Sequence, residues 1–145
     1  MIATEYDNDN IFAKILREEL PCHKVYEDDA TLAFMDIMPR ADGHTLVIPK
    51  NPSRNMLDAG QDDINAVMAT VQKIAKAQMT AFEADGITIQ QFNDPAGGQV
   101  VFHLHMHVIP RKDGITMRPH TGNMAENDIL ATHAQALINA LEKNG

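Results

Sequence analysis

The chain has 145 residues, a formal net charge of −8, 44% hydrophobic and 22% charged residues, and a single cysteine, Cys22. That length and composition fit one domain spanning residues 1–145 with a core of its own, and they exclude bulk disorder. An acidic surface repels a phosphate backbone, one cysteine forms no internal disulfide, and neither the polar start at Met1–Asn10 nor the short apolar runs read as a signal peptide or a membrane span; a cytoplasmic protein that binds neither nucleic acid nor membrane is expected.

Asp9 or Asn10 can cap a first helix, with Ile11, Phe12, Ile15 and Leu16 on one face and Pro21 as its stop. His23–Glu27 and Thr31–Ile37 read as two strands around the turn Glu27-Asp28-Asp29. After the loop Pro39–Gly43, a third strand runs from His44 to Pro49. The longest helix starts near Asp62 or Asp63 and ends at Gly86. Its apolar stripe is Ile64, Val67, Met68, Val71, Ile74, Ala75, Met79 and Phe82, with Gln78 as the polar exception inside it. Ile87–Phe92 alternates as a fourth strand, Asn93–Gly98 is a turn-rich loop, and Val100–Ile109 reads as a fifth strand closed by Pro110. Arg111–Asn123 is irregular. Glu126–Lys143 forms a last helix with Ile129, Leu130, Ala134, Leu137, Ile138 and Leu141 on its face. Directly linked strands with isolated helices indicate an α+β meander and not a βαβ wind. No glycine-rich phosphate loop is present.

Four of the seven histidines form the candidate chemistry: His44, His103, His105 and His107. In a strand, the last three share one face at spacings of roughly 6–7 Å, while Leu104, Met106 and Val108 cover the other. Imidazole offers two distinct nitrogens and changes charge near neutrality, so one ring can attack phosphorus while a neighbour donates a proton to a phosphate oxygen or a leaving group. The same row suits zinc, since His-x-His on a strand is a common ligand pair. A catalytic zinc site typically adds a carboxylate in support, and no acidic residue lies between Gln99 and Lys112.

The pattern His103-Leu104-His105-Met106-His107-Val108-Ile109 resembles the signature of the histidine triad (HIT) family. Ile11-Phe12-Ala13-Lys14-Ile15-Leu16, Val25-Tyr26-Glu27-Asp28, Ala33-Phe34-Met35-Asp36-Ile37, Gly43-His44-Thr45-Leu46-Val47-Ile48-Pro49-Lys50 and Gly97-Gly98-Gln99 are similar to the family's Hint branch, in its order and spacing. The resemblance covers residues 11–111. It implies a HIT-like α+β fold: a five-stranded, mainly antiparallel sheet with the long helix packed on it, plus N- and C-terminal helices. It further implies His105 as nucleophile, His107 as donor to the phosphate, His103 as an orienting partner and His44 as the fourth histidine of the cluster. Asp36 is placed where the family binds ribose hydroxyls, a role that suits a carboxylate. Phe12, Phe34 and Ile37 are placed at the base pocket, and Gln99 and Asn93 in the loop near the phosphate.

Some positions depart from the family's pattern. Where many bacterial relatives carry a Cys-x-x-Cys structural zinc site, this chain reads Asn10-Ile11-Phe12-Ala13, so no structural zinc is expected; the proposed chemistry calls for no other metal and no cofactor. Phe92 stands where an asparagine is frequent, with Asn93 beside it, and Val100 replaces a frequent serine or threonine. The expected activity is hydrolysis or transfer at the α-phosphorus of purine nucleoside phosphoramidates, or of dinucleoside polyphosphates, through a nucleotidyl-histidine. The rate is expected to fall at acid pH, because a protonated imidazole cannot attack. A purine-nucleotide-binding module with vestigial activity and a zinc enzyme remain the alternatives. Members of this branch usually pair as homodimers, which the resemblance carries over.

Overall fold

The computed structural model of the chain describes residues 1–119 and 123–144. Within them the order is α1 (Ile11–Leu16), β1 (Lys24–Glu27), β2 (Thr31–Met35), β3 (Thr45–Pro49), α2 (Gln61–Ala81), β4 (Gly86–Gln90), a short 3-10 turn (Pro95–Gly97), β5 (Met106–Arg111) and α3 (Asn127–Asn144). The five strands form one sheet in the order β1-β2-β3-β5-β4, and every pair is antiparallel. This is the expected α+β architecture. Residues 120–122, within the segment read as irregular, lie outside the described residues, as does residue 145. Among the described residues no helix is long and apolar enough to cross a membrane.

Strand register divides the sheet into two faces. Leu32 opposes Ile48, Phe34 opposes Leu46, Leu46 opposes His107, and His107 opposes Gln90. Directly opposed residues share a face. On this side α1 lays Phe12 into a small core with Leu32, Phe34, Leu46 and Ile48, leaving the His107 end of the face to the polar residues. Asn10 caps α1, its side chain accepting from Ala13 N–H at 2.9 Å; such a cap contributes about 1 kcal/mol. The other face carries Ala33, Met35, Val47, Met106 and Val108, and the main core forms where Val67, Val71, Ile74 and Ala77 of α2 and Leu130, Ala134, Leu137 and Ala140 of α3 cover it.

Several expected details differ. The stripe of α2 is narrower than its methionines suggest, since Met68 and Met79 are 40% and 41% exposed. Thr70 is buried instead, bonded hydroxyl to hydroxyl with Thr31 at 2.7 Å. Ile11 and Ile129, counted on the apolar faces of the outer helices, are also exposed. The largest correction concerns the fifth strand. It begins at Met106, not Val100, so of the triad only His107 lies in it. The preceding backbone is tied to the segment after β3, where Leu104 N–H donates to Ser53 O at 2.9 Å and Phe102 lies under the Arg54 guanidinium at 4.4 Å. Val100 is left exposed.

Candidate active site

Two of the triad's rings, those of His105 and His107, therefore meet without a shared strand face. His105, one residue before β5, turns its ring toward His107, with centroids 5.1 Å apart, and meets the edge of Phe12 at 4.9 Å. Its Nδ1–H donates to the carbonyl of His103 at 2.7 Å. That bond places the proton on Nδ1 and the lone pair on Nε2.

His44 sits immediately before β3 and is fully buried. The Arg40 backbone N–H donates to its Nδ1 at 3.0 Å, so the His44 proton resides on Nε2. From there it is donated to His107 Nδ1 at 2.9 Å. Because His107 accepts at Nδ1, its own proton is carried by Nε2. A directed series of bonds thus runs from Arg40 through His44 to His107. Asp36, directly after β2 and 8% exposed, adds a negative charge: its Oδ2 lies 3.4 Å from His44 Nε2 and 4.0 Å from His107 Nδ1, while its Oδ1 accepts from Met38 N–H at 2.8 Å. The missing acid near the triad in sequence is thus supplied by chain folding.

His103 stands apart from this cluster. Its Nε2–H donates to Pro49 O at 2.8 Å, and Tyr6 donates its hydroxyl to Nδ1 at 2.6 Å, with the two rings edge to face. Burial pushes the Tyr6 hydroxyl up, which favours the protonated donor. Burial likewise holds the His103 imidazole below its ordinary value of 6.5, and the bond to the Pro49 carbonyl offsets only part of that. The folded chain disfavours a proton that the unfolded chain takes up once the pH drops below 6.5. Stability from this residue is therefore complete above that pH and is lost as the pH falls through the lowered folded value. Thermal midpoints should decline as the pH falls below 6.5, and the decline should be shallower in His103→Gln. Identical slopes for the two proteins would refute this assignment.

The other expected site residues fall in three places. Phe12 and Phe34 stack edge to face at 5.4 Å in the small core, Phe12 also touching His105, while Ile37 is exposed beside Asp36. Gln99 is buried and committed to the chain: its Nε2 donates to Arg54 O (2.7 Å) and Val101 O (3.0 Å), and its Oε1 accepts from Asp94 N–H (2.7 Å) and Asn55 Nδ2 (3.1 Å). Asn93 accepts from Met56 N–H at 2.9 Å and exchanges bonds with Gln91. Both residues build the loop before the triad. Phe92, at the position where the family pattern has asparagine, meets the His107 ring at 5.6 Å.

Asp36, His44 and His107 each present one potential ligand atom, all within 4.8 Å of one another, a grouping that could surround a cation. The tautomers oppose it. A metal needs the His44 Nε2 lone pair, but the Arg40 N–H already uses the Nδ1 lone pair and leaves Nε2 protonated. As arranged, these residues do not fit a metal.

Fold and site together define an antiparallel α+β domain with an imidazole protonated on Nδ1 beside one that accepts at Nδ1. Comparison with known proteins gives the class: the chain belongs to the HIT domain family, whose pattern matches residues 17–114. Its structure is similar to that of a Hit-like protein involved in cell-cycle regulation from Bartonella henselae, with 54% identity, a TM-score of 0.90, and 93% of this chain and 98% of that one covered. A zinc-bound histidine triad family protein from Mycobacterium smegmatis is 31% identical with a TM-score of 0.84, over 94% and 95% of the two chains. In sequence, the chain is 40% identical over 106 residues to the adenylylsulfatase HINT3 of Arabidopsis thaliana, covering 73% of this chain but only 54% of that protein.

Proposed function

We propose that the protein is a nucleotidyl hydrolase or transferase. His105 Nε2 attacks the α-phosphorus of a nucleoside phosphoramidate, or of a mixed or dinucleotide anhydride, and the bond to the leaving group breaks. The observation that carries the proposal is the bond from His105 Nδ1–H to the His103 carbonyl at 2.7 Å. It directs the lone pair to Nε2 and supports the positive charge that develops on the ring during attack. His107, protonated on Nε2, donates to a non-bridging oxygen or to the departing group. Water then attacks the phosphorus of the nucleotidyl-histidine, releasing a nucleoside monophosphate and returning His105.

Asp36 would accept from the ribose hydroxyls, with Phe12, Phe34 and Ile37 toward the base. Gln99 and Asn93 act on the phosphate through the loop they hold together. Purine phosphoramidates are the preferred substrates, with dinucleoside polyphosphates second. The name of the plant relative adds adenylyl sulfate as a third leaving-group class to assay. The outer edge of β4 has no strand partner among the described residues, and Ile89 on that strand is 46% exposed. A second copy pairing there would give a two-fold homodimer, which light scattering in solution would detect as twice the chain mass.

Mass spectrometry of the intact protein, mixed with an AMP phosphoramidate and quenched in alkali, tests the reaction. A transient adduct of one AMP is expected. Nucleotide binding with neither adduct nor released AMP would replace this reading with that of a binding module. Steady AMP release with no adduct, lost on chelation, would favour the zinc enzyme.

A further inference from the structure

Gln78 lies on the buried side of α2 among Val71, Ile74 and Ala77, and is itself fully buried. Its Nε2 donates to Val108 O at 2.8 Å and Gly43 O at 3.0 Å, with Thr45 Oγ1 3.4 Å away. Among the described residues its Oε1 has no hydrogen-bond partner. An unmatched buried carbonyl is a net cost to folding, and methionine would fill a similar volume without it. Packing alone therefore does not account for glutamine at this position.

The two carbonyls that the amide joins are those of the residue before His44 and the residue after His107. Backbone pairing between β3 and β5 runs from Val47–Met106 to Thr45–Val108 and ends there, because Gly43, at φ +88°, turns the chain off the ladder. Gln78 supplies a crosslink at that end. It reaches the sheet from the face covered by α2, the face of Val108, while His107 projects from the opposite one. Sliding or splaying of the two strands at this end would separate His44 Nε2 from His107 Nδ1, now 2.9 Å apart.

We propose that Gln78 is a positioning residue: its amide clamps the backbone leading into β3, at Gly43, to β5 from behind the sheet and so holds His44 and His107 at hydrogen-bond distance. Its catalytic consequence rests on the reading of His107 as proton donor given above. Gln78 touches neither substrate nor reacting atoms and acts through the two histidines.

The test is Gln78→Met, followed by kinetics on an AMP phosphoramidate and by imidazole nitrogen NMR. We expect kcat to fall about tenfold with KM changed by less than about twofold, because a small misplacement of a proton donor acts on the chemical step and not on binding. The His44 and His107 nitrogen resonances should lose the pattern of one fixed tautomer each. Unchanged kcat would overturn the proposal, as would reduced kcat with an unaltered imidazole spectrum. In the wild type, both Gln78 amide protons should exchange slowly with solvent; fast exchange would overturn the proposal even if the variant failed to fold. Absence of a nucleotidyl adduct in the wild type would instead remove the catalytic reading, while the imidazole spectrum would still report on the clamp.

Discussion

Replacing His105 by Asn should abolish turnover while leaving nucleotide binding in place. Asparagine keeps a donor near the His103 carbonyl but has no lone pair on nitrogen that can attack phosphorus. His44, His107 and Asp36 stay bonded to one another without His105, so the groups proposed to hold the nucleotide are retained. Loss of the nucleophile from a covalent mechanism costs at least about 10⁴-fold in kcat. The alkali-quenched adduct should disappear in the same variant, and calorimetric titration with AMP should still show binding. A variant that keeps near-native turnover would mean that another group, or water directly, attacks the phosphorus.

Gly43→Ala should produce the largest loss of stability of any single methyl addition near the site. Its φ of +88° is a conformation that L side chains rarely adopt, and a Cβ built there would lie 2.5 Å from Cε2 and 2.8 Å from Cδ2 and Cζ of Phe82. The Phe82 ring cannot simply swing away, because it packs against the main core and edge-on to His133 at 5.3 Å. Strained backbone and the overlap together should cost about 2–4 kcal/mol, lowering the thermal midpoint by roughly 10 °C. The Gly43 carbonyl also receives Gln78 and the Thr45 hydroxyl, so the variant should lose activity as well as stability. An unchanged midpoint would show that the loop has room that this packing does not provide.

Much of this organisation was legible in the sequence. Three helices and five strands read in the right order, because their hydrophobic periods are distinct and Gly, Pro and Asn mark their ends. His44, so far from the triad in the chain, was placed with it by resemblance, and its ring does bond His107. The start of β5 was not legible. Alternation from Val100 to Ile109 looks the same whether the backbone pairs in a ladder or, as here, is tied through Leu104 to Ser53 and through the His103 ring to Pro49. Tyr6 and Arg40 are not legible for another reason. One acts from a polar N-terminal stretch with no periodicity, and the other through its backbone N–H, which leaves no trace in residue type. Gln78 did leave a signal, as a polar residue in an apolar stripe, but the partners that explain it are carbonyl groups, and carbonyls are the same in every residue.

The direction of the bonds from Arg40 to His107 limits how protons can travel. A backbone amide donates a hydrogen bond but has no proton to release at neutral pH. His44 therefore cannot hand on its Nε2 proton without becoming an anion, and it serves as an oriented dipole, not a link in a proton wire. His107 is under the same constraint, since its one proton sits on Nε2: in the proposed reaction it serves the phosphate or the departing group as a hydrogen-bond donor, and the proton that the leaving group keeps comes from the front of the site, with the molecules that enter there. Water brings one, and so does an alcohol or an amine. On this arrangement the donor half of the reaction is insulated from the protein interior, and the choice between hydrolysis and transfer falls to what can reach the nucleotidyl-histidine.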